Sequence, residues 1–363
     1  AASACADRAC AASQAAAESA VFHFDNNQIA TADLQGSVRF VSESGRMDSS
    51  NARIEFGPDA NGSMHPKTIR SDGGAVLETV SSRPQQPPAK FEARKIDYDM
   101  QTGDGLAHGP IRCIFYQPGT SAADAAEQWT PVTITADESA AFVADADRRI
   151  TQVVFNRNVL AARVTETPLF TQRDEFHGDK LIVDVNRDAA GSMAIDTITF
   201  TDGKVFGQSK KLQGDRTLFN VRLTCRRMAY DQGSGVVLAT GPGKIELDNS
   251  HAAPAASGNV GINFQRPCYG LIEGFETIQW NLEKQTITAG GDEKTMQFAY
   301  VPLVDGEVEK YIFVNSRQLE ADYTTDDTGT PVIRRVFTDK AITYIETDRD
   351  KEKILRTLVG QTL

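Results

Sequence analysis

The sequence predicts an all-β chain of many short strands, stacked as an open, solenoid-like structure of tandem modules. Three observations carry this. Short runs with period-two alternation recur, as in Ser37–Val41, Arg112–Tyr116 and Lys244–Leu247, and such alternation marks half-buried strands. Clusters of Gly, Asp, Asn and Ser separate the runs, as at Gln101–Gly105 and Gln232–Gly235, and these are turn residues. Finally, the chain repeats itself, which is the signature of stacked units that share one core.

The repeat is explicit. Phe91–Phe115 aligns without a gap on Leu223–Leu247, at an offset of 132 residues, with eight of 25 positions identical. The identities are Arg94/Arg226, Tyr98/Tyr230, Asp99/Asp231, Gly103/Gly235, Leu106/Leu238, Ala107/Ala239, Gly109/Gly241 and Pro110/Pro242. A weaker match continues at offset 138, placing Ile134–Phe142 over Ile272–Trp280 and Leu181 over Leu319. Gly36–Arg39 matches Gly109–Arg112 at offset 73. The predicted organisation is therefore an Ala-rich leader or linker over 1–20 (11 Ala), a partial module over 21–90, a full module over 91–222, and another over 223–363. The absence of a starting Met and of a signal peptide reads as a processed or excised chain. The last unit runs up to Leu363, so the native chain is expected to continue.

Within each module a finer unit recurs: a small residue, two others, an aliphatic, then an aromatic or aliphatic and an acid or amide. Ala93…Ile96, Gly178…Leu181, Cys225…Met228 and Ser316…Leu319 show it. Alternation puts Cys113 with Phe115, and Ile245 with Leu247, on one face, and Arg112 and Lys244 on the solvent face. Phe91 and Ala93 have one parity and Ile96 and Tyr98 the other, so either a bulge lies between them or both faces are covered. Gly-Pro at 109–110 and 241–242 predicts a turn or sheet edge, because Pro donates nothing to a ladder. Helical periodicity is confined to short pieces such as Ser121–Gln128. Rungs are uneven, broken at Ser81–Lys90 and His251–Asn263, which argues against a regular β-helix. With only Trp129 and Trp280, a propeller lacks its recurring blade signature.

Several chemistries find no support. The net charge of −11 offers no basic surface for nucleic acid. No apolar run reaches the ~18 residues of a spanning helix. The five His are scattered without metal-ligand spacing, and no nucleophile elbow, phosphate loop or dinucleotide fingerprint occurs. No metal or cofactor is expected, and the chain does not read as an enzyme. Asp99 and Asp231 lie at turns and read as turn caps, although paired Asp residues also occur in sugar-cleaving β-helices. His108 faces Thr240 in the second copy and reads as a surface residue. Cys5 and Cys10 could pair or stay free. Cys113, Cys225 and Cys268 read as small buried hydrophobes.

The small-x-x-aliphatic-x-Tyr-Asp unit (Ala93–Asp99, Cys225–Asp231) and the following Leu-Ala-x-Gly-Pro segment (Leu106–Pro110, Leu238–Pro242) resemble the lipopolysaccharide-transport periplasmic family, with its LptA-, LptC- and OstA-like domains. The similarity is sharp in the two matched stretches and one of texture elsewhere. It implies a β-jellyroll, a folded-over sheet open on one side with a hydrophobic groove. It further implies a periplasmic protein, with a membrane anchor in its full length as one alternative, that binds the acyl chains of lipopolysaccharide or a related lipid. Such a protein would bridge inner and outer membranes by stacking edge to edge with other β-jellyroll proteins. The groove residues expected on this reading are Phe91, Ala93, Ile96, Tyr98, Leu106, Cys113, Phe115, Leu181, Val183, Leu223, Cys225, Met228, Tyr230, Leu238, Ile245, Leu247, Ile278, Trp280 and Leu319. Tyr98 and Tyr230 suit the core or rim of such a groove better than its lipid contacts. The competing reading is an extracellular or periplasmic β-solenoid, either a structural or adhesin stalk or a carbohydrate-active protein, with a closed interior.

Overall fold

The computed structural model describes residues 14–42, 45–59, 61–79, 85–118, 129–187, 193–251, 266–291, 295–325, 331–338 and 342–360. The chain is all-β, with no helix among the described residues. The short helix expected at Ser121–Gln128, Cys5, Cys10, residues 81–84 of the first predicted loop and residues 252–263 of the second lie outside them.

The first strands are β1 (Gln14–Ala16), β2 (Ser19–Asp25), β3 (Gln28–Ser42), β4 (Gly45–Pro58), β5 (Met64–Thr79), β6 (Lys90–Ala93) and β7 (Lys95–Asp99). There follow β8 (Gly105–His108), β9 (Ile111–Pro118), β10 (Trp129–Ala136), β11 (Ser139–Ala144), β12 (Ile150–Glu166) and β13 (Thr171–Arg187). Next come β14 (Met193–Thr201), β15 (Val205–Gln213), β16 (Arg216–Cys225), β17 (Arg227–Asp231), β18 (Val236–Asp248), β19 (Cys268–Asn281) and β20 (Thr286–Gly290). The last are β21 (Met296–Val304), β22 (Glu307–Val308), β23 (Tyr311–Ser316), β24 (Gln318–Thr325), β25 (Pro331–Phe337), β26 (Ile342–Thr347) and β27 (Ile354–Gly360). Among the described residues, strand structure is already present at Gln14, inside the stretch expected to be a leader.

Two compact units form, residues 1–159 with 184–194, and residues 160–183 with 195–363. In both, the organising feature is a bend in the middle of each long strand run. In unit 1 the bends fall at Gly36-Ser37 in β3, Gly73-Gly74 in β5, Arg94 between β6 and β7, Gly109-Pro110 between β8 and β9, and Asp137-Glu138 between β10 and β11. Backbone hydrogen bonds run along this line: Gly74 N to Arg94 O (3.0 Å), Arg94 N to His108 O (3.0 Å) and Gly109 N to Glu138 O (2.7 Å). In unit 2, Arg226, Gly241-Pro242, Gly274 and Arg317 occupy the bends, and Arg226 N donates to Thr240 O (2.9 Å). Each bent strand therefore contributes one half to each of two leaves.

The bend resolves the parity conflict in the sequence. Ala93 and Ile96 are both buried, as are Cys225 and Met228, and Ser316 and Leu319. Alternation holds on either side, but the exposed Arg between adds one residue and resets the phase. The small-x-x-aliphatic unit is thus an inward residue, a bend and an inward residue. At three bends the small side chain also satisfies a carbonyl two residues on: Ser49 Oγ to Asn51 O (3.0 Å), Cys225 Sγ to Arg227 O (3.3 Å) and Ser316 Oγ to Gln318 O (2.7 Å). The two Gly-Pro pairs, both cis, lie at bends inside the sheet rather than at a turn or edge. Proline is tolerated there because a bend residue owes no ladder hydrogen bond.

The openness expected of the stack is not what the pairings give. β5 and β12 are long enough to pair with both halves of the bent strands beside them. Eight strands consequently close a ring in the order β5, β6, β9, β10, β12, β11, β8, β7. Aromatic contacts fill the angle between the leaves. Phe91 meets Phe142 edge to face at 5.0 Å in unit 1, and Phe176 meets Phe200 at 6.2 Å in unit 2.

Asp99 Oδ1 accepts from the Gln101 and Thr102 amides (2.7 and 3.1 Å). Asp231 Oδ1 accepts from the Ser234 amide and hydroxyl (both 2.7 Å). Both aspartates cap turns, and the Ser234 hydrogen bonds hold the Asp231 carboxyl below its ordinary value.

Candidate functional site

The inner face, between the leaves, collects the apolar side chains into cross-strand rows. In unit 1 one row runs Leu34, Ala52, Ser71, Ile96, Ala107, Ala140, Phe155 over seven strands, and all seven are buried. The matching row in unit 2 runs Phe200, Met228, Ala239, Ile278, Ala289, Leu319, again all buried. These rows flank the bend line. Small residues recur in them, Ala52, Ser71, Ala107 and Ala140 in unit 1 and Ala239 and Ala289 in unit 2, as close packing between the leaves requires.

Burial relaxes away from the bend. In unit 2, Cys225 is 2% exposed, whereas Leu223 and Val221, two and four residues further out, are half-buried. Leu223 pairs with Ile245, which pairs with Ile272, both half-buried, and that row continues to the buried Phe298 and Val314. In the other leaf of the unit, the half-buried row Ile198, Tyr230, Val237, Trp280, Ile287 succeeds the buried one. The Trp280 indole donates to the Tyr323 hydroxyl (2.7 Å) and stands edge-on to that ring. In unit 1, Phe91 pairs with Cys113, Cys113 with Ile134, and Phe115 with Val132.

The expected groove residues therefore divide. Phe91, Ala93, Ile96, Leu181, Val183, Cys225, Met228, Ile278 and Leu319 are packed core. Tyr98, Cys113, Phe115, Leu223, Tyr230, Ile245, Leu247 and Trp280 are half-buried on the inner face. Leu106 and Leu238 require correction: each is one residue out of phase with a buried Ala (Ala107, Ala239) and lies on the outer face, Leu106 being 39% exposed. Leu77 and Phe298 belong to the inner rows but fall outside the matched repeat, whereas Ile272 belongs to them and lies within its weaker part, over Ile134. That Ile134/Ile272 identity is the signal that could have found Ile272.

The outer face is charged. Arg39 and Arg46 both reach Asp48 (2.7 Å each) and Arg46 continues to Glu78 (3.0 Å). Lys95 (2.9 Å) and His108 (3.0 Å) converge on Asp97. Burial raises the Asp97 carboxyl, but the hydrogen bonds from Lys95 and His108 outweigh it and leave the group below its ordinary value. Such exposed pairs contribute little each and mainly mark the solvent side. Arg112 and Lys244 lie on this face, paired with Glu92 (3.7 Å) and Glu246 (2.8 Å). Along the bend of unit 1, a polar hollow is lined by Arg94, Pro110, Asp137, Glu138, Arg157 and Asn158.

Reactive groups are scarce. Burial pushes the thiols of Cys113 and Cys268 up to about 12 and that of Cys225 up to about 11, so they stay protonated and poorly nucleophilic at neutral pH. Among the described residues, no cluster of three His, Cys, Asp or Glu is arranged to hold a metal. No helix there is long and apolar enough to cross a membrane. Comparison with models of known protein families finds no match, and comparison with curated proteins finds none either.

Proposed function

We propose that this chain is a periplasmic lipid carrier of the lipopolysaccharide-transport type, which shields acyl chains against the half-buried apolar rows between the leaves of its folded-over β-sheet. The observation that carries the reading is the burial gradient. Apolar rows are sealed at the bend and half-buried further out, so the outer rows (Leu223, Ile245, Ile272) offer hydrocarbon surface to a guest. Each acyl methylene buried there contributes ~0.8 kcal/mol, so a multi-acyl lipid needs no charged anchor.

The terminal strands support the bridging part of the proposal. β2 is exposed along its length and carries Val21, Phe22 and Phe24 at 50–65% exposure. β27 is likewise exposed, with Ile354, Leu355, Leu358 and Val359. Bare apolar edge strands are hazards unless something pairs with them. Strand addition from another β-jellyroll protein would cover them and extend a path between inner and outer membranes.

In a titration with a fluorescent long-chain acyl probe, Ile245→Asp is expected to weaken binding roughly tenfold or more, because a carboxylate enters the hydrocarbon contact. Thermal denaturation confirms that the variant is folded. Unchanged affinity in a folded variant removes the proposal. A second reading, a structural β-solenoid, is favoured by the closed eight-strand ring and the Phe91–Phe142 and Phe176–Phe200 contacts. On that reading the acyl probe does not bind at all.

A further inference from the structure

Among the described residues, an apolar and aromatic patch interrupts the charge pattern on the outer face of unit 2. Where neighbouring positions carry ion pairs, Tyr269, Leu271, Val301, Tyr311 and Phe313 form an apolar and aromatic hollow of about 420 Å³. The register explains the assembly: Tyr269 pairs with Val301, Leu271 with Ala299, and Ala299 with Phe313, on adjacent strands and one face. The Tyr311 and Phe313 rings are parallel (1° between planes, centroids 6.1 Å apart). Tyr269 is 42% exposed.

Polar groups ring this hollow. The Arg222 guanidinium lines it and has no ion-pair or hydrogen-bond partner among the described residues. Asn220 is 8% exposed; its Oδ1 accepts from Gln208 (2.8 Å), which leaves its amide NH2 for a ligand. Glu246 and Asp248 line the same side. Lys351, from the turn between β26 and β27, holds its ammonium 4.3 Å from the Tyr311 ring centre and 5.8 Å from that of Phe313.

We infer that this hollow is a carbohydrate-binding site that takes a pyranose ring of an oligosaccharide. Parallel aromatic faces receive the apolar C–H face of a sugar, while a free guanidinium, an amide and carboxylates on the rim suit vicinal hydroxyls. An acyl chain would leave those polar groups unpaired, and the net charge of −11 disfavours nucleic acid. The volume lies in the range of small-ligand sites. Lys351 occupies the ring face where the sugar would stack, so it competes with the ligand and has to swing away. The aromatic and polar side chains of the site lie on the outer face, with Leu247 of the inner face also reaching its lining.

Saturation-transfer NMR on the full chain tests this, with cellohexaose, maltohexaose and chitohexaose each at about 5 mM, a range suited to weak binding. At least one should receive saturation on its ring C–H protons. Phe313→Ala should weaken that binding roughly tenfold, the exposed Arg222→Ala severalfold, and Lys351→Ala should tighten it. Arg222→Ala leaves the packing intact, so it reports even if Phe313→Ala does not fold. No transfer to any of the three sugars, or transfer unaffected by Arg222→Ala and Lys351→Ala, overturns the inference.

Discussion

Gly109→Ala and Gly241→Ala are each expected to destabilise the chain by more than about 3 kcal/mol, at the severe end of overpacking. A Cβ on Gly109 would stand 2.2 Å from the Asp137 carbonyl oxygen, and one on Gly241 1.9 Å from that of Phe275. Both obstacles are backbone atoms of a neighbouring strand at the bend, so no side chain can turn aside to make room. Gly233→Ala is the control. Its nearest neighbour would be the Asp231 carboxylate at 3.6 Å, and the expected change is within about 0.5 kcal/mol. Urea denaturation of the three variants separates them. Losses below about 1 kcal/mol for both bend variants would mean that neighbouring strands are not held as closely at the bend as described.

Lys310→Met is expected to cost about 3 kcal/mol at neutral pH, because it strands a largely buried carboxylate. Lys310 Nζ lies 2.8 Å from Glu346 Oε1, and the two side chains are 18% and 11% exposed. The Lys310 hydrogen bond holds Glu346 below its ordinary 4.5 against the opposing effect of burial, and the Tyr344 hydroxyl donates to the other oxygen at 3.2 Å. Burial first, and then Glu346, push Tyr344 up to about 12, so it remains a donor. A depressed carboxyl stabilises the fold above its unfolded value and loses that contribution as pH falls through the folded value. The deficit of Lys310→Met should therefore shrink as pH drops below the ordinary 4.5. Denaturation midpoints measured from neutral to acid pH give the comparison, and a deficit independent of pH would rule out the ion pair as its source.

The β class and the repeat were legible because period-two alternation and turn chemistry are local signals. The matched Arg94/Arg226 and Gly109/Gly241 mark real structural equivalences, since in each pair both residues sit at strand bends. What could not be read was the bend itself. A single out-of-phase residue such as Arg94 looks the same in sequence whether it ends a strand, makes a bulge or turns the chain between leaves. Closure of the ring escaped for a related reason: it depends on how far β5 and β12 extend past the bend, and length does not fix pairing partners. Leu106 and Leu238 were misplaced because identity between copies shows equivalence without showing which face a residue takes. Phe298 was missed because it lies outside the stretches where the two copies match, and Ile272 because only the weaker match, over Ile134, covers it.

A photo-crosslinking side chain on the two faces of the sheet in unit 2 bears most directly on the central claim, that the inner rows take hydrocarbon. The benzophenone amino acid is placed at Leu223 or Ile245, inward, and at Lys244 or Gln279, outward, and each protein is irradiated with a sugar-free long-chain acyl lipid. The account predicts a lipid adduct at Leu223 and Ile245 and none at Lys244 or Gln279. Adducts at neither inward position, or equal yields on both faces, would contradict it.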